Sequence, residues 1–353
     1  MTESACTSHK ARGIGGIVVA ILLSLISPTA GMATDWMMFA FDADQHANNI
    51  QESAINASNV TALVQVYKKY PALTTSGPVF LSNVATTAGS VDMLFVAAKD
   101  GTLLAIDASN GDTVWSQSTS QLSNRVDAAP VVDPNRQYVY GHGADGKIHK
   151  YAVTDGTEFI DAAWPAISSL KAEHATGALE IATANNGRTY LYAVTTGYYG
   201  DGGDYQGHVT AIELSTGAWQ VFNAACSNVP GHMIENGTNG VNDCATTRNG
   251  IWGRSGAVYD QRTDKVYAAT GNGPFDFIGA GFDWGDSVLA LHPDGSGTSG
   301  GVPVDSYTPT NYANLEYTDS DLGSGSVVLL PTPVADEKGS GSFITFDHFI
   351  DVF

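Results

Sequence analysis

Along this chain short apolar runs are cut at near-regular intervals by Asp-Gly, Asn-Gly and other glycine turns, a pattern that predicts strands and hairpins, not long helices. The segment Phe95-Val-Ala-Ala-Lys-Asp-Gly-Thr-Leu-Leu-Ala-Ile-Asp-Ala-Ser-Asn-Gly-Asp-Thr-Val-Trp115 reads as three strands joined by two tight turns. Both turn dipeptides tolerate the positive φ that short hairpin connections require.

The plan recurs. Asp145-Gly146 stands 45 residues after Asp100-Gly101, and Gly156 matches Gly111. A third copy runs from Thr189 through His208-Val-Thr-Ala-Ile-Glu-Leu-Ser-Thr-Gly217, and a fourth from Lys265 through Ser287-Val-Leu-Ala-Leu-His-Pro-Asp-Gly295. Each copy follows a strand of small and apolar residues, at 126–132, 177–182, 255–259 and 325–330, narrow enough to crowd around an axis. A period of this size is one propeller blade. The expected fold is therefore all-β, a propeller over residues 34–335. At about 45 to 60 residues per blade it has room for five to six four-stranded blades. Insertions at 197–207, 223–249 and 271–285 lengthen the connections between blade strands, and a ligand is expected there.

Composition narrows the partners. The 39 glycines and a charged fraction of 15% suit a turn-rich globular protein, and a net charge of −20 with no basic stripe argues against binding nucleic acid or anionic lipid. Lys10 and Arg12 precede the apolar run 17–26, and Gly31 and Ala33 offer a cleavage site, so residues 1–33 are expected to be a signal peptide. Ten apolar residues are too few for a stable membrane span, which needs about 20. A secreted or periplasmic location follows. In an oxidising compartment Cys226 and Cys244, left after Cys6 departs with the leader, are expected to close a disulfide, the alternative being two free thiols.

The pattern Ala105-x-Asp107-x-x-x-Gly111-x-x-x-Trp115 resembles the repeat signature of pyrroloquinoline-quinone (PQQ) propellers, and Ala211-x-Glu213-x-Ser-Thr-Gly217 and Ala290-x-His292 are weaker versions of it. Ile251-Trp-Gly-Arg-Ser-Gly-Ala-Val-Tyr-Asp260, Tyr267-Ala-Ala-Thr-Gly-Asn272 and Gly285-Asp-Ser-Val-Leu-Ala-Leu291 are similar to the cofactor-blade region of PQQ-dependent alcohol dehydrogenases. That resemblance implies PQQ and calcium as cofactors and an alcohol as substrate. It puts Trp252 against the quinone with Arg254 nearby, and Asn272 on the cation through its carbonyl oxygen. Asp319 or Asp321 would be the general base. An aromatic plane stacks on a flat quinone, a hard cation takes oxygen ligands, and a neighbouring carboxylate can accept an alcohol proton.

Three features depart from the family pattern. Asp201-Gly-Gly-Asp204 stands where an acidic calcium ligand is expected, so Asp201 or Asp204 is the candidate substitute. No adjacent Cys-Cys pair occurs. Quinoprotein dehydrogenases close eight blades, so the chain resembles a C-terminally truncated copy, with an atypical tail at 336–353. The alternative reading is a non-catalytic propeller that serves as a protein-binding or cell-envelope scaffold.

Overall fold

The computed structural model describes residues 34–69, 73–74, 76–120, 126–170, 172–197, 202–229, 244–276, 282–329 and, for the backbone alone, 343–345. The expected leader 1–33, Asp201 and nearly all of the tail 336–353 lie outside the described residues.

Four antiparallel four-stranded sheets follow one another along the chain. Blade one comprises β1 (Val79–Thr86), β2 (Gly89–Ala97), β3 (Leu103–Asp107) and β4 (Thr113–Gln117), and blade two β5 (Val131–Val132), β6 (Tyr138–His142), β7 (Lys147–Ala152) and β8 (Ala166–Ile167). A short pair, β9 (Glu173–His174) with β12 (Thr196–Gly197), flanks blade three, which is β10 (Glu180–Thr183), β11 (Thr189–Val194), β13 (His208–Glu213) and β14 (Trp219–Asn223). Blade four is β15 (Val258–Asp260), β16 (Lys265–Ala269), β17 (Val288–Leu291) and β18 (Asp305–Tyr307). After the helix α1 (Tyr312–Thr318), β19 (Val327–Leu329) pairs with β20 (Phe343–Thr345) as the start of a fifth blade. Among the described residues, then, four blades are complete and a fifth is opened by two strands. The small, apolar segments singled out in the sequence do begin blades two to five.

The hairpins form as their turn residues dictate. Gly101 and Gly146 take φ of 81° and 79°, and the Asp before each accepts the backbone N–H two residues on, Thr102 at 3.0 Å and Lys147 at 3.2 Å. Alternation along each strand gives every sheet two apolar faces, and the core is built between blades. Val79, Leu81, Met93 and Phe95 of blade one meet Val132, Val139 and Tyr151 of blade two. Tyr192, Val209 and Phe222 of blade three meet Tyr259, Val266 and Leu289 of blade four.

The repeat glycine has a steric reason. Trp115, at the end of blade one, is buried and donates its indole N–H to the Val153 carbonyl at 3.0 Å. The blade-two glycine Gly156, at φ 72°, lies flat against that indole, and a Cβ there would fall 2.7 Å from ring atoms. One blade's tryptophan thus packs on the next blade's turn, a contact that only glycine permits.

The segment that precedes the repeats ties the blades together. Trp36 exchanges backbone hydrogen bonds with Phe80 at 2.9 and 2.7 Å, and the Met37 carbonyl accepts the Val132 N–H at 2.8 Å. Gln45 then reaches blades three and four, giving its side-chain amide to Glu180 at 2.9 Å and to the Ser255 carbonyl at 2.8 Å.

Candidate functional site

The ends of the three insertions converge. Gly207 donates to the Arg248 carbonyl at 3.1 Å, Asn249 to the Asn272 carbonyl at 2.9 Å, and Gly271 to the Gly250 carbonyl at 2.8 Å. This arc runs across blades three and four to the loop after α1.

Asn272 is at its centre, buried at 3% exposure. Its backbone N–H donates to Asp321 and its side-chain amide to Asp319, so one residue holds both carboxylates. Its carbonyl oxygen Oδ1 is buried and has no hydrogen-bond partner among the described residues. An amide oxygen left so costs about 1–3 kcal/mol unless something else satisfies it. Gly271 makes the close approach possible: a Cβ there would sit 2.6 Å from Asp321 Oδ1 and 2.8 Å from the Trp252 indole nitrogen. Trp252, Asn272, Asp319 and Asp321 are therefore one group.

The carboxylates are positioned by the turn that ends α1. Asp319 takes a left-handed conformation, φ 56° and ψ 48°, and its backbone N–H caps the helix on the Leu315 carbonyl. The helix is fixed by the Arg248–Glu316 ion pair at 2.6 Å and by Tyr312 packing edge-on to Phe275 at 5.0 Å. Asp286, 1% exposed, accepts the Leu322 N–H at 3.0 Å and secures the following turn. Asp319 is exposed and Asp321 half-buried. Of the two, Asp319 is the carboxylate a substrate can reach.

The other expected residues are placed differently. Arg254 lies two residues beyond Trp252 with its side chain exposed, and its carbonyl accepts the Ala178 N–H of the preceding blade at 3.0 Å. Asp204 is exposed in the blade-three connection, and among the described residues no group of three or more His, Cys, Asp or Glu is gathered to hold a metal ion. Cys226 and Cys244 are joined in a disulfide with Cα atoms 5.7 Å apart, closing the insertion between blades three and four.

Among the buried acids that the sequence did not mark are Asp286 and Glu173. Glu173, fully buried just before blade three, accepts Leu170 N–H at 2.9 Å and binds His208 at 2.9 Å, whose other ring nitrogen meets Asn223 at 2.9 Å. Burial by itself lowers the His208 pKa, but the charge and hydrogen bond of Glu173 outweigh it and raise the net value. Glu173 is thus a buried acidic residue ahead of the third repeat. Nothing in strand periodicity marks such a residue, because its partner is 35 positions away.

A family model described as outer membrane protein assembly factor BamB matches residues 79–239. A europium-containing methanol dehydrogenase superposes with a TM-score of 0.61 at 16% identity, over 90% of this chain and 55% of that one. Quinohemoprotein alcohol dehydrogenase ADHIIG from Pseudomonas putida HK5 gives 0.55 at 16%, over 89% and 44%. The enzyme from Comamonas testosteroni gives 0.55 at 17%, over 90% and 46%. The chain spans about half the length of these structures, and at such identities the likeness is one of fold. No curated protein matches it by sequence.

Proposed function

We propose that this chain is a propeller of the PQQ-repeat kind in which the group around Asn272 binds a quinone cofactor beside a hard cation and oxidises an alcohol. The observation that carries this reading is the Asn272 side chain, with its amide spent on Asp319 and its buried oxygen unsatisfied. That oxygen, with the Asp321 carboxylate held on the same residue's backbone, would offer hard donors to the cation. Trp252 supplies the plane on which a quinone stacks. When bound, a quinone supplies the two-electron acceptor and the cation a Lewis acid. Calcium is the first cation to test. Europium is the second, because a structural neighbour is named for containing it.

Asp319 takes the hydroxyl proton of the alcohol. The Asn272 amide aims the carboxylate, and the left-handed cap fixes its backbone, so little reorganisation is needed. Asp321, bound to the Asn272 backbone, holds the loop in register. The test is dye-linked oxidation of short alcohols by protein supplied with PQQ and each cation. Alcohol-dependent dye reduction is expected, falling at least about a hundredfold in Asp319→Asn, the size of a general-base contribution. Equal rates in the two proteins would overturn the role of Asp319.

A second reading, a protein-binding propeller, draws support from the match of residues 79–239 to an assembly-factor family. It would stand if the folded protein bound no quinone.

A further inference from the structure

Arg248 and Asn249, consecutive residues at the end of the second insertion, are both left-handed, at φ 83° and 57°. That region is unfavourable for residues with a Cβ, for arginine above all, so contacts must hold the pair there. Each residue serves a different half of the site. The Arg248 guanidinium pairs at 2.6 Å with Glu316 of α1, the helix whose capping residue is Asp319. Asn249, fully buried, turns the other way, to the loop that carries Asn272. Its backbone N–H donates to the Asn272 carbonyl at 2.9 Å. Its side-chain amide donates to the Pro274 carbonyl at 3.2 Å and to the carbonyl of Ala224, just past β14, at 2.9 Å. Both acceptors are carbonyl oxygens, which fixes the end of the amide that faces them. Between Asn272 and Pro274 stands Gly273, where a Cβ would fall 1.7 Å from Asn249 Oδ1. The Asn249 side chain therefore lies against the Gly273 backbone and braces the residues on both sides of it. The pair is itself anchored to the first insertion: Arg248 N–H donates to the Tyr205 carbonyl at 2.8 Å, and the Arg248 carbonyl accepts Gly207 N–H at 3.1 Å.

We infer that Asn249 is a positioning residue of the site: it sets the backbone from which the Asn272 side chain projects, while Arg248 sets the carboxylate turn that the same side chain meets. The Asn272–Asp319 hydrogen bond lies between these two arms. One dipeptide thus fixes how the buried Asn272 oxygen stands relative to the carboxylates, and it does so through the residues it holds. A hard cation gains most from oxygens whose places are set before it arrives, because no binding energy is then spent on ordering them. The inference rests on the cation and quinone reading for its purpose, whereas the brace can be tested without either ligand.

Asn249→Gly in the full chain tests it, since glycine keeps the left-handed backbone and its N–H and removes the side-chain brace alone. Hydrogen exchange read by mass spectrometry is expected to quicken severalfold at the amides of 271–275 and to stay unchanged at 93–97 in blade one. Terbium, a hard-cation probe whose luminescence tryptophan sensitises, reports the site itself through the signal that calcium displaces. Its apparent Kd is expected to rise at least about tenfold in Asn249→Gly and in Arg248→Met, with Arg248→Lys restoring most of the loss. Terbium affinity equal to wild type in Asn249→Gly, or unchanged exchange at 271–275, would overturn the positioning role. If the wild-type protein binds no terbium, the cation reading falls and the exchange measurement alone decides on the brace. Should Asn249→Gly not fold, the Arg248 variants decide: wild-type terbium affinity in Arg248→Met, or a loss that Arg248→Lys does not repair, would overturn the two-armed clamp.

Discussion

Asn272 and Asp319, 47 positions apart, are joined by a side-chain hydrogen bond that spans the space between blade four and the helix after it. The bond fixes the more exposed carboxylate of the site and leaves the Asn272 oxygen without a hydrogen-bond partner among the described residues.

Replacing Asn272 with Ala removes that tie while the backbone hydrogen bond to Asp321 remains. A hydrogen bond to a charged group contributes about 1.5–3 kcal/mol, and the exposure of Asp319 puts this one at the lower end, about 1.5 kcal/mol. Urea unfolding is expected to show that loss, and an unchanged midpoint would mean that the bond does not hold the loop.

Gly271→Ala tests the close approach of Trp252 and Asp321. The new methyl would meet both within 2.8 Å, so one must move, at about 1–3 kcal/mol. Quinone affinity is expected to fall at least about tenfold with the circular dichroism spectrum unchanged. Wild-type affinity in the variant would separate Gly271 from the site.

The Cys226–Cys244 disulfide closes a loop with a separation of 18 residues. Chain entropy assigns such a loop about 3 kcal/mol. The Cys226→Ser/Cys244→Ser double variant is expected to lose about that much in urea unfolding, and stability equal to wild type would show that the insertion is ordered without it.

Glu180 gives a pH dependence with a definite sign. It is 1% exposed, and burial raises its pKa well above 4.5, with hydrogen bonds from Gln45 and Tyr259 opposing the rise. The folded state thus keeps a proton that the unfolded chain releases. The stability this contributes is complete below the unfolded pKa and declines as pH rises through the folded one, at no more than about 1.4 kcal/mol per pH unit. Glu180→Gln is expected to flatten unfolding curves from pH 5 upward. A slope identical to wild type would assign the dependence to other groups.

The fold was legible because its determinants are local. Asp100-Gly101 and Asp145-Gly146 state the hairpins, and the Gly111-to-Trp115 signature states the contact that Gly156 later makes with Trp115. The disulfide was legible from two cysteines in a glycine-rich insertion. The site was legible only as residue types. That Trp252, Asn272, Asp319 and Asp321 meet depends on the register of blade four and on α1, seven residues of helix that no apolar period announces. Glu173 and Asp286 were hidden for a related reason: a buried acid is explained by partners far along the chain, here His208 and Leu322, and carries no periodic mark. The ends of the insertions do meet, through the hydrogen bonds of Gly207, Asn249 and Gly271.

The central claim, a quinone site against Trp252, is tested most directly by titrating the folded protein with PQQ, with and without calcium, while following tryptophan fluorescence, with Trp252→Ala as control. Saturable quenching that strengthens with the cation and is lost in the variant is the predicted result. Quenching that is absent, or equal in Trp252→Ala, would contradict it.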